Sequence, residues 1–321
     1  MNIYKDSFSF EKKRKTVVTV GSFDGLHMGH HKILSRLFEI SAQCGCESVL
    51  FTFEPHPRLV ISKDYEIKLL TTLNEKIEIL SKTKLDNLVI QKFSREFSEM
   101  TSEEFIGKIL VEQLNLSHIV VGHDHKFGRD RMGDAEKLKQ LGNQYGFEVT
   151  AVDAERCNGE IVSSTKIRQA LAEGDIDKAN LFLGRNYSFE GIVVKGAQRG
   201  RTLGFPTANI KLDNNLKALP VNGVYAVRCL INGDSLLGIM NIGLRPTFED
   251  KPEITIEVHL MNNDFGKYEK NIYGERLKVE VIKRIRNEIK FESVDKLIEQ
   301  IESDKKTALE ILSKFEDKSI N

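Results

Sequence analysis

Residues 17–31 read VVTVGSFDGLHMGHH: a β-branched run, a glycine-bearing turn, then His27 and His30 at the start of an amphipathic segment. A helix beginning there directs its unpaired N–H groups and positive dipole end out of the carboxyl end of the preceding strand, a setting suited to phosphate. Both histidines project from that first turn and can donate hydrogen bonds as negative charge builds on a phosphoryl group. Gly25 and Gly29 let the backbone approach closely. The same letters also fit structural histidines, or a metal site built from His27, His30 and His31. H-x-x-H lacks the glutamate of a zinc-protease helix, which disfavours the metal.

Two further groups of residues could handle phosphate. Residues 162–168, VSSTKIR, set three hydroxyls and two cations at the start of a predicted helix, chemically a triphosphate grip. Ser164 or Thr165 as a plain N-cap explains one hydroxyl but neither Lys166 nor Arg168. In 191–209, GIVVKGAQRGRTLGFPTAN, Gly191, Gly196, Gly200 and Gly204 alternate with Lys195, Arg199 and Arg201, as in a loop that folds over phosphates. Barrel turns and bulges use glycine in the same way, and neither G-x-G-x-x-G nor the Walker A pattern is present. Glu257, in the alternating ITIEVHL, taken alone reads as a residue on a solvated strand face.

Through about residue 184, short β-branched runs alternate with helix-period segments, which predicts a doubly wound α/β domain. Predicted strands cover 16–20, 48–53, 88–93, 118–121 and 148–152. Predicted helices cover 32–43, 74–82, 102–114, 134–145 and 164–183. From Tyr187 the texture changes to alternating segments at 187–194, 223–231, 236–242, 254–260 and 276–285, the pattern of an antiparallel sheet or small barrel, closed by an amphipathic helix over 293–315. The predicted domains are 1–184 and 185–321, as expected of a 321-residue chain.

Composition excludes several classes. Hydrophobic residues at 40% and charged residues at 29% describe a globular protein. The 47 basic side chains balance 47 acidic ones, so bulk attraction to nucleic acid or an anionic membrane is not expected. Cys44 and Cys46 are too close in sequence for a relaxed disulfide, and free thiols are expected for all four cysteines. No apolar leader or membrane-length run occurs, which points to the cytoplasm.

The string G-x-F-D-G-x-H-x-G-H is followed in order by Thr52-Phe-Glu-Pro-His-Pro57, Val121-Gly-His-Asp-His-Lys-Phe-Gly128 and Val162-Ser-Ser-Thr-Lys-Ile-Arg168. Together they resemble nucleotidylyltransferases of the HxGH superfamily, and more closely the amino-terminal module of bifunctional riboflavin kinase/FMN adenylyltransferases, the bacterial FAD synthetases. The resemblance implies that Gly21, Phe23, Asp24, Gly25, Ser163, Ser164, Thr165, Lys166 and Arg168 hold ATP while His27 and His30 serve its α-phosphate. It assigns flavin contacts to Asp124 and Phe127, and a share of the pocket wall to Glu54, His56 and Pro57. His125 stands where the family more often has an aromatic residue, as a substituted pocket wall or part of a local His123-x-His125 metal site.

In the second half, G-R-x-x-G-F-P-T-A-N from Gly200, Gly223-Val-Tyr-Ala226, Asn241-Ile-Gly-Leu-Arg-Pro-Thr-Phe248, Glu257-Val-His-Leu260 and Ile272-Tyr-Gly274 resemble the riboflavin kinase domain, a six-stranded antiparallel barrel. There the resemblance implies ATP contacts from Gly196, Gly200, Arg201 and Gly204, Mg²⁺ on Thr207 and Asn209, a flavin-side loop at Arg245, and Glu257 as catalytic base. The implied activity is phosphorylation of riboflavin to FMN and adenylylation of FMN to FAD, with ATP, riboflavin and FMN as small-molecule substrates and no nucleic-acid or membrane partner. One surviving activity, or a flavin- or nucleotide-binding regulator on the same folds, is the alternative.

Overall fold

The structure, a computed structural model, describes residues 1–62, 67–123, 128, 135–196, 204–245, 253–261 and 271–319. The chain divides into two compact units, Met1–Ser164 and Thr165–Asn321.

The first unit contains β1 (Asn2–Tyr4), β2 (Thr16–Val20), α1 (Met28–Cys44), β3 (Glu47–Glu54), α2 (Pro57–Ile61), α3 (Leu73–Ser81), β4 (Asn87–Lys92) and α4 (Arg95–Ser98). Then come α5 (Ser102–Glu104), which runs into a π-helical stretch Phe105–Val111, β5 (Leu116–Gly122), α6 (Ala135–Tyr145), β6 (Glu148–Val152) and the small hairpin β7 (Arg156–Cys157) and β8 (Glu160–Ile161). Six strands form a parallel sheet in the order β1-β4-β3-β2-β5-β6. Successive strand residues serve opposite faces. Val18, Val20, Val49, Phe51 and Val89 join one core with the π-helical stretch, whereas Val17, Leu50, Leu88, Ile90 and Val120 join the other with Leu34 and Leu37 of α1. From β2 the chain first builds toward β3 and β4, then crosses to β5 and β6, so β2 and β5 border the topological switch point where open α/β sheets bind ligands. The β2–β3 ladder continues to Val20↔Phe51, while β2–β5 pairing runs to Val18↔Ile119.

The second unit begins with α7 (Ser164–Glu173), whose first residue belongs to the first unit, and continues with α8 (Ile176–Leu183), β9 (Tyr187–Val194), β10 (Ala208–Leu212), β11 (Gly223–Ile231), β12 (Asp234–Arg245), β13 (Glu253–Met261), β14 (Arg276–Arg286) and α9 (Val294–Ser319). Its six strands close an antiparallel barrel in the order β10-β13-β12-β11-β14-β9. Ala308 and Leu312 of α9 pack against Ala226, Leu237, Met261 and Ile282. Arg286 fixes that helix by donating to both carboxylate oxygens of buried Asp304 at 2.7–3.0 Å.

The α/β and barrel classes agree with the sequence, and several local expectations change. The predicted helix 164–183 is broken at Gly174 (φ 78°), after which the Asp175 side chain caps α8. β1 and β10 were not read as strands: the first is a three-residue edge and the second follows the glycine-rich loop. Cys44 and Cys46 are bonded as a disulfide, because the left-handed Gly45 reverses the chain and brings their Cα atoms to 5.3 Å. Cys157 and Cys229 are free thiols.

The compact units divide well before the texture change at Gly184, because α7 and α8 bond within the second unit. Asn180 of α8 donates to the Val281 carbonyl and accepts from the Tyr187 N–H, and the Val221 N–H donates to the Leu171 carbonyl. Phe182 and Leu183 are 2% and 1% exposed. A fragment starting at Thr165 should therefore be more stable to urea than one starting at Arg185 by at least about 3 kcal/mol, the cost of unburying one Phe. Equal midpoints would show that α8 contributes nothing to the barrel.

Candidate active sites

In the first unit the site is a tight turn between β2 and α1. Phe23 (φ 46°), Gly25 (φ 87°) and Leu26 (φ 41°) all adopt positive φ, and two of them bear side chains for which that region is costly. The turn is held from beside it. The buried Asp24 carboxylate accepts from the Leu70 N–H at 3.1 Å, the Thr71 N–H at 2.9 Å and the Thr71 hydroxyl at 3.2 Å. The Gly25 N–H donates to Thr71 Oγ1 at 3.0 Å, and the Ser164 hydroxyl donates to the Asp24 carbonyl at 2.8 Å. Gly21 is placed by steric need: a Cβ there would lie 3.1 Å from the Phe23 ring.

His27 is the N-cap of α1, and its Nδ1 accepts from the His30 N–H at 3.3 Å. An accepting Nδ1 places the proton of the neutral ring on Nε2, so the ring can donate from its far edge. The His27 and His30 rings stack with centroids 3.7 Å apart and 14° between planes, and Phe23 lies 4.7 Å from His30 on centroids. Stacked rings present parallel edges to one ligand rather than converging on an ion. Among the described residues no cluster of three or more His, Cys, Asp or Glu side chains could hold a metal.

Beneath the turn sits a residue the sequence reading passed over. Lys76, on α3 and 5% exposed, donates to the Ser22 carbonyl at 2.7 Å and to Thr52 Oγ1 at 3.2 Å. Burial pushes its ammonium below the ordinary lysine range, against the pull of Asp24 and Glu54. Burial likewise raises the Glu54 carboxyl, with Lys76 opposing. The signal was present: Leu73, Lys76, Ile77 and Leu80 share the spacing of a buried helix face.

In the second unit, β10, β13 and β12 bring three polar residues into one row, Asn209↔Glu257↔Asn241. Ile256 and Val258 are buried on the opposite face of β13, so the row lies on the outer wall of the barrel. The Thr207 hydroxyl donates to Glu257 Oε2 at 3.0 Å. Gly196 leaves room for the Asn209 amide, since a Cβ there would meet its Nδ2 at 2.2 Å. His259, quoted from sequence only as part of a string, supports this corner. Its Nδ1 donates to the Pro206 carbonyl at 2.8 Å, which fixes the tautomer because a carbonyl only accepts, and its ring meets Phe205 edge-on.

The structure thus gathers His27, His30, Gly21, Phe23, Asp24, Gly25 and Ser164 around one turn, and Gly196, Thr207, Asn209 and Glu257 at one patch of barrel wall. Ser163 precedes α7, and Thr165, Lys166 and Arg168 lie on it in the second unit. Gly204 (φ 85°) turns the chain into Phe205. Asp124, His125, Phe127, Gly200 and Arg201 lie outside the described residues, as does the side chain of Arg245.

The chain thus carries a doubly wound sheet with stacked histidines beside its switch point and a closed barrel with a Thr–Glu pair on its wall. Residues 9–166 match the family model of FAD synthetase, and residues 183–312 match that of riboflavin kinase. Proteins described as bifunctional riboflavin kinase/FMN adenylyltransferase are similar along nearly the whole length. That of Buchnera aphidicola is 40% identical and that of Listeria monocytogenes 36%, each over 94% of both chains; that of Escherichia coli K12 is 38% identical over 92% of both. The chain belongs to the bifunctional riboflavin kinase/FMN adenylyltransferase family. A solved structure described as a macrolide-efflux protein from Streptococcus pneumoniae superposes with a TM-score of 0.86 at 30% identity, covering 95% of this chain and 97% of that one. Among the described residues no helix is long and apolar enough to cross a membrane.

The bonding of Asp24 makes it a brace for the turn, which separates it from a nucleotide ligand by experiment. Asp24→Ala should cost about 2–4 kcal/mol in denaturant unfolding of the first unit, since it strands two buried N–H groups. Weakened ATP binding at unchanged stability would instead make Asp24 a direct ligand.

Proposed function

We propose that this chain makes FAD from riboflavin in two ATP-dependent steps, one in each compact unit. The observation that carries the reading is that two separate sets of residues, each suited to one of the steps, occur on a chain similar along its length to bifunctional relatives.

In the second unit Glu257 accepts the proton of the riboflavin 5′-hydroxyl as that oxygen attacks the γ-phosphorus of ATP, giving FMN and ADP. Its carboxylate already accepts a hydroxyl hydrogen bond from Thr207, the interaction the substrate hydroxyl would make. Gly196 and Gly204, with Gly200 and Arg201, belong to the ATP side of this site, and Arg245 to its flavin side. Thr207 and Asn209 offer oxygen donors that fit a hard cation shared with phosphate, and the absence of a Cβ at Gly196 leaves room for the Asn209 amide. Mg²⁺ bound there would neutralise phosphate charge.

In the first unit the FMN phosphate attacks the α-phosphorus of a second ATP in line and pyrophosphate leaves. His27, through Nε2–H, and His30 donate to the oxygens on which charge builds, and α1 adds the positive end of its dipole. Phe23 and Gly21 shape the turn, Asp24 and Gly25 brace it, and Ser163 and Ser164 offer hydroxyls to the β- and γ-phosphates. Asp124 and Phe127 contact the flavin. A cytoplasmic location goes with two reactions that consume ATP. We assign the activities to segments 1–184 and 185–321.

Purified protein given riboflavin, ATP and Mg²⁺ should yield FMN and then FAD on chromatography. His30→Ala should lower FAD formation by roughly 10²–10³-fold and leave FMN formation intact. Glu257→Gln should lower riboflavin phosphorylation by on the order of 10²–10⁴-fold yet convert supplied FMN to FAD at the parental rate. Equal damage to both reactions by either substitution contradicts the division of labour.

A further inference from the structure

We propose that Lys76 is a positioning residue for adenylyl transfer: its buried ammonium clamps the end of β2 to β3 and sets a fixed positive charge under the turn that carries His27 and His30. This rests on the reading of that turn as the adenylylation site.

Three observations lead to it. Ser22 lies just beyond β2 and Thr52 among the last residues of the adjacent β3, and Lys76 reaches both from α3 at 2.7 and 3.2 Å. The carbonyl it binds belongs to the residue just before Phe23, where the chain enters positive φ, and Phe23 in turn lies against His30. A small shift at Ser22 is therefore transmitted to the ring that donates to the substrate. Finally, a hydrogen bond alone does not call for lysine here. The Thr52 hydroxyl already lies 3.3 Å from the Ser22 carbonyl as a donor, and Thr52 itself is fully buried. Burying an ammonium is costly where a methionine would fill the same space. What the ammonium adds is charge. With Lys76 only 5% exposed, that charge acts through surroundings of low dielectric on phosphate held at the turn, and it needs no reorganisation during the reaction. The carboxylates of Asp24 and Glu54 flank Lys76 and limit the cost of keeping it charged.

Lys76→Met should lower kcat for FAD formation by about 10–100-fold with KM for FMN and ATP changed by less than about threefold. Riboflavin phosphorylation by the same preparation should be unchanged. Lys76→Arg, which keeps the charge, should recover at least about tenfold of that loss, and Lys76→Gln, which keeps donors without charge, should not. Parental kcat in folded Lys76→Met, or a loss confined to thermal stability, overturns the proposal. If Lys76→Met does not fold, the Arg and Gln variants decide, and equal rates in those two overturn it. His30→Ala measured alongside separates the two readings. Normal FAD formation in His30→Ala removes the site itself, whereas loss in His30→Ala with parental kcat in Lys76→Met removes this inference alone.

Discussion

The proposed adenylylation site depends on one constraint: the chain leaving β2 must turn through positive φ at Phe23, Gly25 and Leu26 to deliver His27 to the N-cap of α1. Two of those conformations carry a side chain, at a cost of about 1–2 kcal/mol each, and they persist because buried polar groups over-determine them. Asp24 bonds to Leu70 and Thr71 on one side, and Lys76 holds the Ser22 carbonyl on the other. The result is a helix N-terminus, two stacked imidazoles and a buried ammonium held in one arrangement. Preorganised donors of this kind stabilise charge that develops only in the transition state.

The barrel solves a different problem with different means. Its interior is apolar, and the proposed kinase site lies on the outer wall, where neighbouring strands align Asn209, Glu257 and Asn241 by register alone. A glycine opposite Asn209 and a histidine under Pro206 then fix the approach to Thr207. No strained turn is needed, because a strand already aims alternate side chains to one face.

Much of this was legible in the sequence. The β-branched run into G-S-F-D-G and the histidines at a helix start are local signals, and the alternation of ITIEVHL shows that Glu257 and His259 share a face. Lys76 was legible in principle, as a charged residue at an apolar helix position, but helix periodicity alone reads such a lysine as solvated. Other features are long-range. Nothing local pairs Asn209 with Glu257, aims Asp24 at Thr71, or shows that α8 bonds to β9 and β14 rather than to the sheet it follows. The Cys44–Cys46 bond departs from the expectation of free thiols, which rested on the one-residue spacing; the left-handed turn at Gly45 between them is what the spacing does not show.

The central claim is that one chain carries out two different phosphorus transfers, and the fate of labelled ATP tests it most directly. Purified protein is given riboflavin with ATP labelled at either the γ- or the α-phosphorus, and the flavins are then separated and counted. The account predicts γ-label in both FMN and FAD, since the phosphate bound to the ribityl chain comes from the first ATP, and α-label in FAD alone, with unlabelled pyrophosphate released. FMN carrying α-label, or FAD lacking γ-label when riboflavin is the only flavin supplied, would contradict it.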